Sequence, residues 1–277
     1  MRGVKGPIPI PIIPIPNPSM SPVTASAVSS LRQRTGVSMM ECKKALEESQ
    51  GNEEKAIEIL RKRGIAQMAK KAARDQFEGL VFLAQKADKA ALVMLKCETD
   101  FVARDENFLK AGALFVETLL EKGDAAVQSL AEKTVPELVQ KLGENISIGE
   151  AKVVTGTTLG TYLHTNSKIG VIIALEGGSV ESARDVAMHA AAMNPTVTRP
   201  EEVANEKVEK EKEIWREQLK KEGKPEAMFD KIMIGKEKKF REENALLKQP
   251  FVKDPTKTVE QYLGTAKVTA YIRLAVG

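Results

Sequence analysis

The chain has 277 residues, of which 42% are hydrophobic and only 4% are aromatic, with a single Trp. This length allows one large domain or about two to three smaller ones, and the apolar content supports a buried core, so global disorder is disfavoured. The scarcity of aromatic residues disfavours proteins that stack nucleic-acid bases on aromatic side chains.

Positive charge is concentrated near the N-terminus, although the formal net charge of the whole chain is only +4. Residues 31–75 contain eleven Lys or Arg and seven Asp or Glu, a net charge of +4. Arg2 and Lys5 add +2, so residues 76–277 carry a net charge of −2. A basic N-terminal module on a nearly neutral body favours acidic partners, either protein or nucleic acid.

The two cysteines indicate the compartment. Cys42 and Cys97 are far apart and form no CxxC motif, which disfavours a disulfide framework and a structural zinc site. Free cysteines are typical of a reducing compartment, so we expect a cytoplasmic protein.

Residues 1–22 form a Pro/Ile-rich leader with the sequence MRGVKGPIPIPIIPIPNPSMSP. Proline removes backbone donors and is incompatible with a helix interior, and it interrupts the continuous apolar stretch of a secretory signal. We expect this leader to be flexible and to lie outside the fold.

Residues 23–66 predict a domain of three short helices. Thr24 is a candidate cap of the first helix, which ends at Gly36, and SMME (38–41) is a capping box for the second. The third helix follows Asn52 and is predicted to end at Gly64. Of Met39 and Met40, we expect one in the core. Residues 67–77 then form a basic linker.

The hydrophobic period changes from helical to strand-like at Glu78. GLVFLAQ and AALVMLKCE flank the turn KADK and predict a β-hairpin, followed by a helix that ends at Gly123. Residues 124–142 are predicted to be helical with an interruption at Pro136, and ISIGEAKVV predicts another strand.

The order strand, strand, helix then recurs in GTYLHTN, IGVIIALEGG and SARDVAMHAAAM. This recurrence predicts an α+β fold whose core has two related α+β subdomains. The predicted boundaries are residues 78–146 for the first subdomain, and residues 147–200 with 249–277 for the second. KTVEQYL and KVTAYIRLAV supply the returning helix and strand.

Residues 201–248 predict an antiparallel helical hairpin inserted in the second subdomain. This segment contains thirteen basic and thirteen acidic residues, and its apolar residues recur at helical spacing on either side of a break at Gly223 and Pro225. Two charged helices with narrow apolar stripes are typical of a coiled-coil arm.

Motifs for catalysis are not found in the sequence. It contains no GxxxxGK[ST] phosphate-binding loop, no GxSxG and no HExxH, and its only two histidines are His164 and His189. His189 lies in the apolar segment AMHAAAM, which favours a core histidine, whereas His164 follows a strand at a turn, where a partner contact is a real alternative. We therefore expect a protein without enzymatic activity, cofactor or metal.

The segment CETDFVARDENF (97–108) places Asp100 and a bulky Phe101 between a buried strand and a helix. From the pattern alone, Phe101 is as consistent with a core residue at a helix start as with an exposed contact, and Asp100 is an ordinary helix cap. The residues by themselves therefore indicate an α+β protein that binds a partner.

Several segments together resemble the bacterial translation elongation factor Ts family. LRQRTGVSMMECKKALEES and GNEEKAIEIL resemble its N-terminal ubiquitin-associated-like domain, and CETDFVARDENF resembles its most diagnostic motif. GENISI, GTYLH, AMHAAAMNP and QPFVKDPTKTVEQYL resemble its later motifs, in the same order.

The resemblance implies a guanine nucleotide exchange factor for elongation factor Tu. It implies that Thr99, Asp100, Phe101 and Val102 enter the GTPase domain of that partner and displace the groups that hold Mg²⁺, so that GDP leaves. It implies further contacts through His164, Arg32, Met39 and Met40. It also implies a contact of the helical hairpin with the partner or with a second copy, in a homodimer or a heterotetramer, and no membrane or direct nucleic-acid partner.

Two other functions remain alternatives at this stage. The basic module and linker are consistent with an RNA-binding translation accessory protein, whose affinity falls steeply with salt. The three-helix domain alone is consistent with an adaptor that binds a ubiquitin fold, but that function leaves the α+β core unexplained.

Overall fold

The computed structural model describes residues 23–277, so the predicted leader, residues 1–22, lies outside the described residues. The chain divides into two compact units at Ala66 and Gln67. The described part of the first unit contains helices α1 (Ala25–Thr35) and α2 (Met39–Glu48) and most of α3 (Glu53–Lys71). The second unit contains the last turn of α3 and all later elements.

The caps of the first helices form largely as predicted. Thr24 Oγ1 accepts a hydrogen bond from Ala27 N at 3.1 Å, and Gly36 ends α1 in the left-handed conformation. Ser38 caps α2, but the reciprocal half of the predicted capping box is replaced, because the Glu41 carboxylate accepts a hydrogen bond from Arg63 at 3.0 Å instead.

The predicted end of α3 at Gly64 is wrong. The helix continues to Lys71, so the predicted linker of residues 67–77 begins as a helix. Gly64 is buried and does not adopt the positive φ that terminates a helix at a glycine. Glycine inside a helix costs about 1 kcal/mol relative to alanine, a cost that tertiary packing can offset.

The first sheet has the strand order β1-β2-β3 and is antiparallel throughout. Strands β1 (Glu78–Lys86) and β2 (Lys89–Cys97) form the predicted hairpin, and β3 is Ser147–Thr155. Helices α5 (Glu106–Lys122) and α6 (Asp124–Leu142) pack on the sheet around the fully buried Phe108 and Phe115. Pro136 lies within α6 without interrupting it, since its neighbours Val135 and Leu138 are buried in this core.

The predicted boundary between residues 146 and 147 needs correction. The sequence predicts that residues 147–155 belong to the second subdomain, but β3 pairs with β2, with Ala91 opposite Val153 and Lys96 opposite Ser147. The first sheet therefore extends to Thr155. An apolar pattern identifies a strand but does not specify the strand with which it pairs.

The second sheet has the order β4-β5-β8 and is also antiparallel. It consists of β4 (Thr158–Leu163), β5 (Ile169–Glu176) and the returning strand β8 (Lys267–Ala275), with α7 (Val180–Met193) packed on it. The two sheets share a buried layer that includes Leu92 of β2 and Ile172 of β5. Gly170 allows close approach there, because a Cβ at this position would lie 2.7 Å from Val81 Cγ1.

The helical hairpin consists of α8 (Asn205–Lys221) and α9 (Phe229–Asn244). Trp215, Leu219 and Met233 form its own small buried cluster, and Lys212 pairs with Glu237 across the two helices at 2.8 Å. The predicted end at residue 248 is too late, because Leu246 and Leu247 are buried in the core of the second sheet.

The chain ends with a small β-hairpin, a short helix and the returning strand. β6 (Pro250–Phe251) pairs with β7 (Asp254–Thr258), and α10 (Val259–Leu263) leads into β8. None of the helices in residues 23–277 combines the length with the apolar composition that a membrane-spanning helix requires.

Candidate partner-binding interface

The chain turns sharply where β2 ends, and the short helix α4 (Asp100–Ala103) forms the corner. Thr99 is the N-cap of this helix, since its side chain accepts a hydrogen bond from Val102 N at 3.4 Å. Val102 and Ala103 are buried in the core of the first sheet. The side chain of Phe101, which immediately precedes them, is 82% exposed. The two alternatives that the sequence left open for Phe101 are thereby distinguished: its side chain projects into solvent.

Asp100 is not the cap that the sequence predicted. It occupies the first turn of α4, where a carboxylate interacts favourably with the helix dipole, and its Oδ2 pairs with Arg104 at 2.9 Å. Both partners of this ion pair are largely exposed, so the pair contributes little to stability. Asp100 therefore adds an acidic group beside the exposed ring of Phe101.

Two carboxylates, those of Glu144 and Glu98, accept the hydrogen bonds that join the corner to the loop between α6 and β3. Glu144, in the loop between α6 and β3, accepts hydrogen bonds from Glu98 N and Thr99 N, both at 3.0 Å, and from the Thr99 hydroxyl. In the opposite direction, the Glu98 carboxylate accepts a hydrogen bond from Asn145 N at 2.6 Å. The segments CETDF and GENIS are thus joined by reciprocal hydrogen bonds.

The thiol of Cys97 lies buried directly beneath the corner. It donates a hydrogen bond to Thr99 O at 3.2 Å. Burial, with an added contribution from the Glu144 carboxylate, raises the pKa of this thiol to about 12, so it stays protonated and remains a donor at neutral pH.

His164 lies at the turn between β4 and β5, as the sequence predicted. Its backbone N–H donates to Ile169 O at 2.9 Å, and its carbonyl accepts from Ser167 N at 2.7 Å, so the turn is well defined. The ring is partly exposed, and its Nδ1 lies 3.1 Å from the Tyr162 hydroxyl. This contact orients the ring while leaving part of it accessible.

The β4–β5 turn lies at the same end of the first sheet as the corner. Ser167 O accepts a hydrogen bond from Val81 N at 2.7 Å, and Lys168 pairs with Glu78 at 2.7 Å. Glu78 is in turn directly opposite Cys97 in the β1–β2 register. The structure therefore brings the His164 turn and the Phe101 corner to one end of the second unit.

His189 is a core residue, as predicted. It is fully buried, its Nε2 lies 3.0 Å from Gln249 Oε1, and its Nδ1 accepts a hydrogen bond from Val252 N at 3.1 Å. Burial lowers the pKa of the ring, although the Gln249 hydrogen bond opposes this effect. A neutral imidazole that accepts at Nδ1 and donates at Nε2 satisfies both contacts.

Comparison with known proteins identifies the family. Residues 98–277 match the family described as elongation factor TS. The elongation factor Ts of Marinobacter nauticus is 44% identical over 266 residues, which cover 93% of this chain and 92% of that protein. The elongation factor Ts of Teredinibacter turnerae is 46% identical, covering 92% and 91%. That of Hydrogenobaculum sp. is 41% identical, covering 92% and 99%.

The chain belongs to the elongation factor Ts family. The resemblance recognised in the sequence is thereby confirmed, and with it a role in translation elongation. The matched residues of the elongation factor Ts family begin at Glu98 and so include the Phe101 corner, its Glu144 support and the His164 turn.

The remaining residues that the family resemblance suggested lie in the first unit. Arg32 is exposed on α1, and Met39 and Met40 are 39% and 62% exposed at the start of α2. The prediction that one of the two methionines is in the core is therefore wrong. The buried face of α2 is formed instead by Cys42, Ala45 and Leu46. Exposed methionines form adaptable contact surfaces.

Glu98 and Glu144 are the site residues that the sequence did not reveal. Both occur in segments that resemble the family, but no pattern in the sequence shows that residues so far apart meet. The backbone amides at a sharp strand end need acceptors, but the sequence does not show which distant residue supplies them. Among residues 23–277, no group of three or more His, Cys, Asp or Glu is placed to hold a metal ion.

Proposed function

We propose that this chain is a guanine nucleotide exchange factor for elongation factor Tu. The observation that carries the proposal is the geometry of Phe101: an 82% exposed aromatic ring on a corner whose neighbours Val102 and Ala103 are buried. An aromatic side chain held in solvent by buried neighbours contributes little to the stability of the fold, and aromatic residues are enriched at protein–protein contacts.

In this proposal, Asp100 and Phe101 enter the GTPase domain of elongation factor Tu and disturb the groups that hold Mg²⁺ and phosphate. The nucleotide and the Mg²⁺ belong to the partner. If the chain binds nucleotide-free elongation factor Tu more tightly than the GDP-bound form, it must weaken GDP binding by the same factor. No catalytic acid, base or metal of its own is needed for this linkage.

The other contacts of the proposal are distributed over the chain. His164 forms a second contact with the GTPase domain from the same end of the second unit. Arg32, Met39 and Met40 of the first unit form a further contact, and the helical hairpin binds the partner or a second copy. These contacts give affinity, whereas the corner gives the preference for the nucleotide-free state. The site of action is the cytoplasm, where translation elongation takes place.

The experiment is the release of a fluorescent GDP analogue from elongation factor Tu in stopped flow, with and without this chain. We expect the release rate to rise with the concentration of the chain and then to saturate. Measuring at two salt concentrations, with RNA added in a parallel series, tests the alternative function. An unchanged release rate together with salt-sensitive RNA binding would contradict the proposal and favour the RNA-binding alternative.

A further inference from the structure

We propose that Glu144 is a positioning residue for nucleotide exchange, whose carboxylate fixes the corner and so sets the direction in which Phe101 projects. This inference rests on the exchange function proposed above and deepens it. Glu144 has no contact with Phe101 itself among the described hydrogen bonds. It acts through the two residues that precede α4.

The geometry of the carboxylate carries the proposal. Its Oε2 accepts from two successive backbone amides, Glu98 N and Thr99 N, both at 3.0 Å, and its Oε1 accepts from the Thr99 hydroxyl at 2.5 Å. Hydrogen bonds to an ionised acceptor are roughly twice as strong as neutral ones. Three donors converging on one carboxylate therefore fix the backbone where β2 ends.

The Thr99 hydroxyl extends this restraint into α4. It donates to Glu144 and also accepts from Val102 N, which is the side-chain capping bond of the helix. Because the hydrogen of the hydroxyl points to Glu144, its lone pairs are oriented towards the helix. Glu144 thus orients the cap, and the cap orients the backbone that carries Phe101.

On the N-terminal side of this short helix, the backbone is held by Glu144 and by the Cys97 thiol, which donates to Thr99 O at 3.2 Å. α4 has four residues, and helix nucleation is unfavourable, so isolated helices below about 12–15 residues are marginal in water. Val102 and Ala103 anchor the C-terminal side in the core. Asp100 and Arg104 offer only an exposed ion pair. Glu144 accepts three of the hydrogen bonds that hold the N-terminal side, and removing it leaves the Cys97 contact alone with the backbone there.

Glu144 is itself held in place by its surroundings. The next residue, Asn145, donates its backbone N–H to Glu98 Oε1 at 2.6 Å, and its side chain donates to Arg74 O at 2.8 Å. The loop that carries Glu144 is therefore tied to β2 on one side and to the chain before β1 on the other. A residue with such support can act as a fixed restraint.

The consequence is a loss of preorganisation without a loss of contacts. If Glu144 is removed, the corner samples other conformations, and the apparent dissociation constant rises by the inverse of the competent fraction. Once the chain is bound, Phe101 makes the same contacts. We therefore expect the half-saturating concentration to rise and the saturating release rate to stay near wild type.

The test compares four proteins in the GDP-release titration: wild type, Glu144→Ala, Glu144→Gln and Glu150→Ala. Glu150 is the matched control, because it is an exposed carboxylate six residues away on β3. For a corner that is competent in one tenth of the molecules, Glu144→Ala raises the half-saturating concentration about tenfold. Glu144→Gln keeps the shape and one acceptor, so we expect a smaller rise. Glu150→Ala should match wild type.

Thermal melting of each variant separates positioning from folding. If Glu144→Ala is unfolded at the assay temperature, Glu144→Gln carries the comparison. A titration of the folded Glu144 variants that superimposes on wild type would overturn the positioning role and leave the exchange function intact. So would a lower saturating rate at an unchanged half-saturating concentration. If the wild-type chain does not accelerate GDP release from elongation factor Tu, the exchange function is wrong and the positioning role is wrong with it.

Discussion

Replacing Phe101 by Ala should abolish most of the exchange activity while leaving the fold intact. The magnitude of the stability change follows from exposure. Full burial of a Phe side chain contributes about 1.5–3 kcal/mol. Since Phe101 is 82% exposed, about one fifth of that value, roughly 0.3–0.6 kcal/mol, is at stake. Alanine is also the better helix former, which offsets a few tenths of a kcal/mol.

Phe108 provides the matched control. It is fully buried in the core of the first sheet, seven positions further along, and truncation of such a residue costs about 3–5 kcal/mol. For domains of this size, 1 kcal/mol shifts the melting temperature by about 2–4 °C. We therefore expect Phe101→Ala to melt within about 2 °C of wild type, and Phe108→Ala to melt about 6–20 °C lower.

Exchange activity should respond in the opposite way. If the contacts of the Phe101 ring supply only 1.4 kcal/mol of the coupling between the chain and GDP, their loss reduces the shift in GDP affinity about tenfold. The assay is stopped-flow release of a fluorescent GDP analogue from elongation factor Tu, read as the saturating rate. Two results would refute the reasoning. An early melting transition would mean that Phe101 supports the fold, and normal melting with normal release would remove the ring from the mechanism.

Three further predictions concern other parts of the chain. Removal of residues 1–22 should leave both melting and GDP release unchanged, and a large drop in melting temperature would contradict a leader outside the fold. Replacing residues 209–237 by a short Gly-rich turn should weaken association with the partner or a second copy more than it lowers the melting temperature. The reason is that the Trp215 cluster is separate from the cores of the two sheets. Loss of the whole fold would show that the hairpin is required for the stability of those cores. Finally, burial lowers the pKa of His189 in the folded state, so between the folded and unfolded pKa values the unfolded state binds more protons. The contribution of His189 to the free energy of unfolding should therefore be fully present above about pH 6.5 and decrease as the pH falls below that value. Melting measured from pH 7 to pH 5 checks this, and His189→Gln should flatten the dependence.

The sequence predicted those parts of the fold that local chemistry determines. Gly36 and Gly123 end α1 and α5 at the predicted positions, and KADK forms the β1–β2 turn. The errors arise where tertiary packing overrides a local preference. Gly64 stays helical because it is buried, and β3 joins the first sheet because pairing is a long-range choice.

The candidate site divides in the same way. The strand-to-helix turn and the position of His164 at the β4–β5 turn follow from the apolar strand segments and the polar residues at their ends. The exposure of Phe101 does not, because whether a ring at a helix start points inward depends on which neighbours occupy the core. Val102 and Ala103 occupy it here, so the Phe101 side chain is excluded. The contact of Glu144 with Thr99 joins residues 45 positions apart and has no local signal.

The exposed ring of Phe101 and the part-buried hydrogen bonds between Glu144 and the end of β2 serve one requirement. An exchange factor can shift the equilibrium of its partner only by the free energy with which it prefers one state over the other. A mobile Phe101 would occupy its binding-competent orientation only part of the time and so weaken association, whereas a ring on a fixed backbone is already in place when the partner binds. Fixing the backbone requires acceptors for the amides at the end of β2, and Glu144 supplies them at 3.0 Å. Glu144 and Phe101 therefore serve the same function: Glu144 fixes the backbone of the corner, and Phe101 makes the contact with the partner.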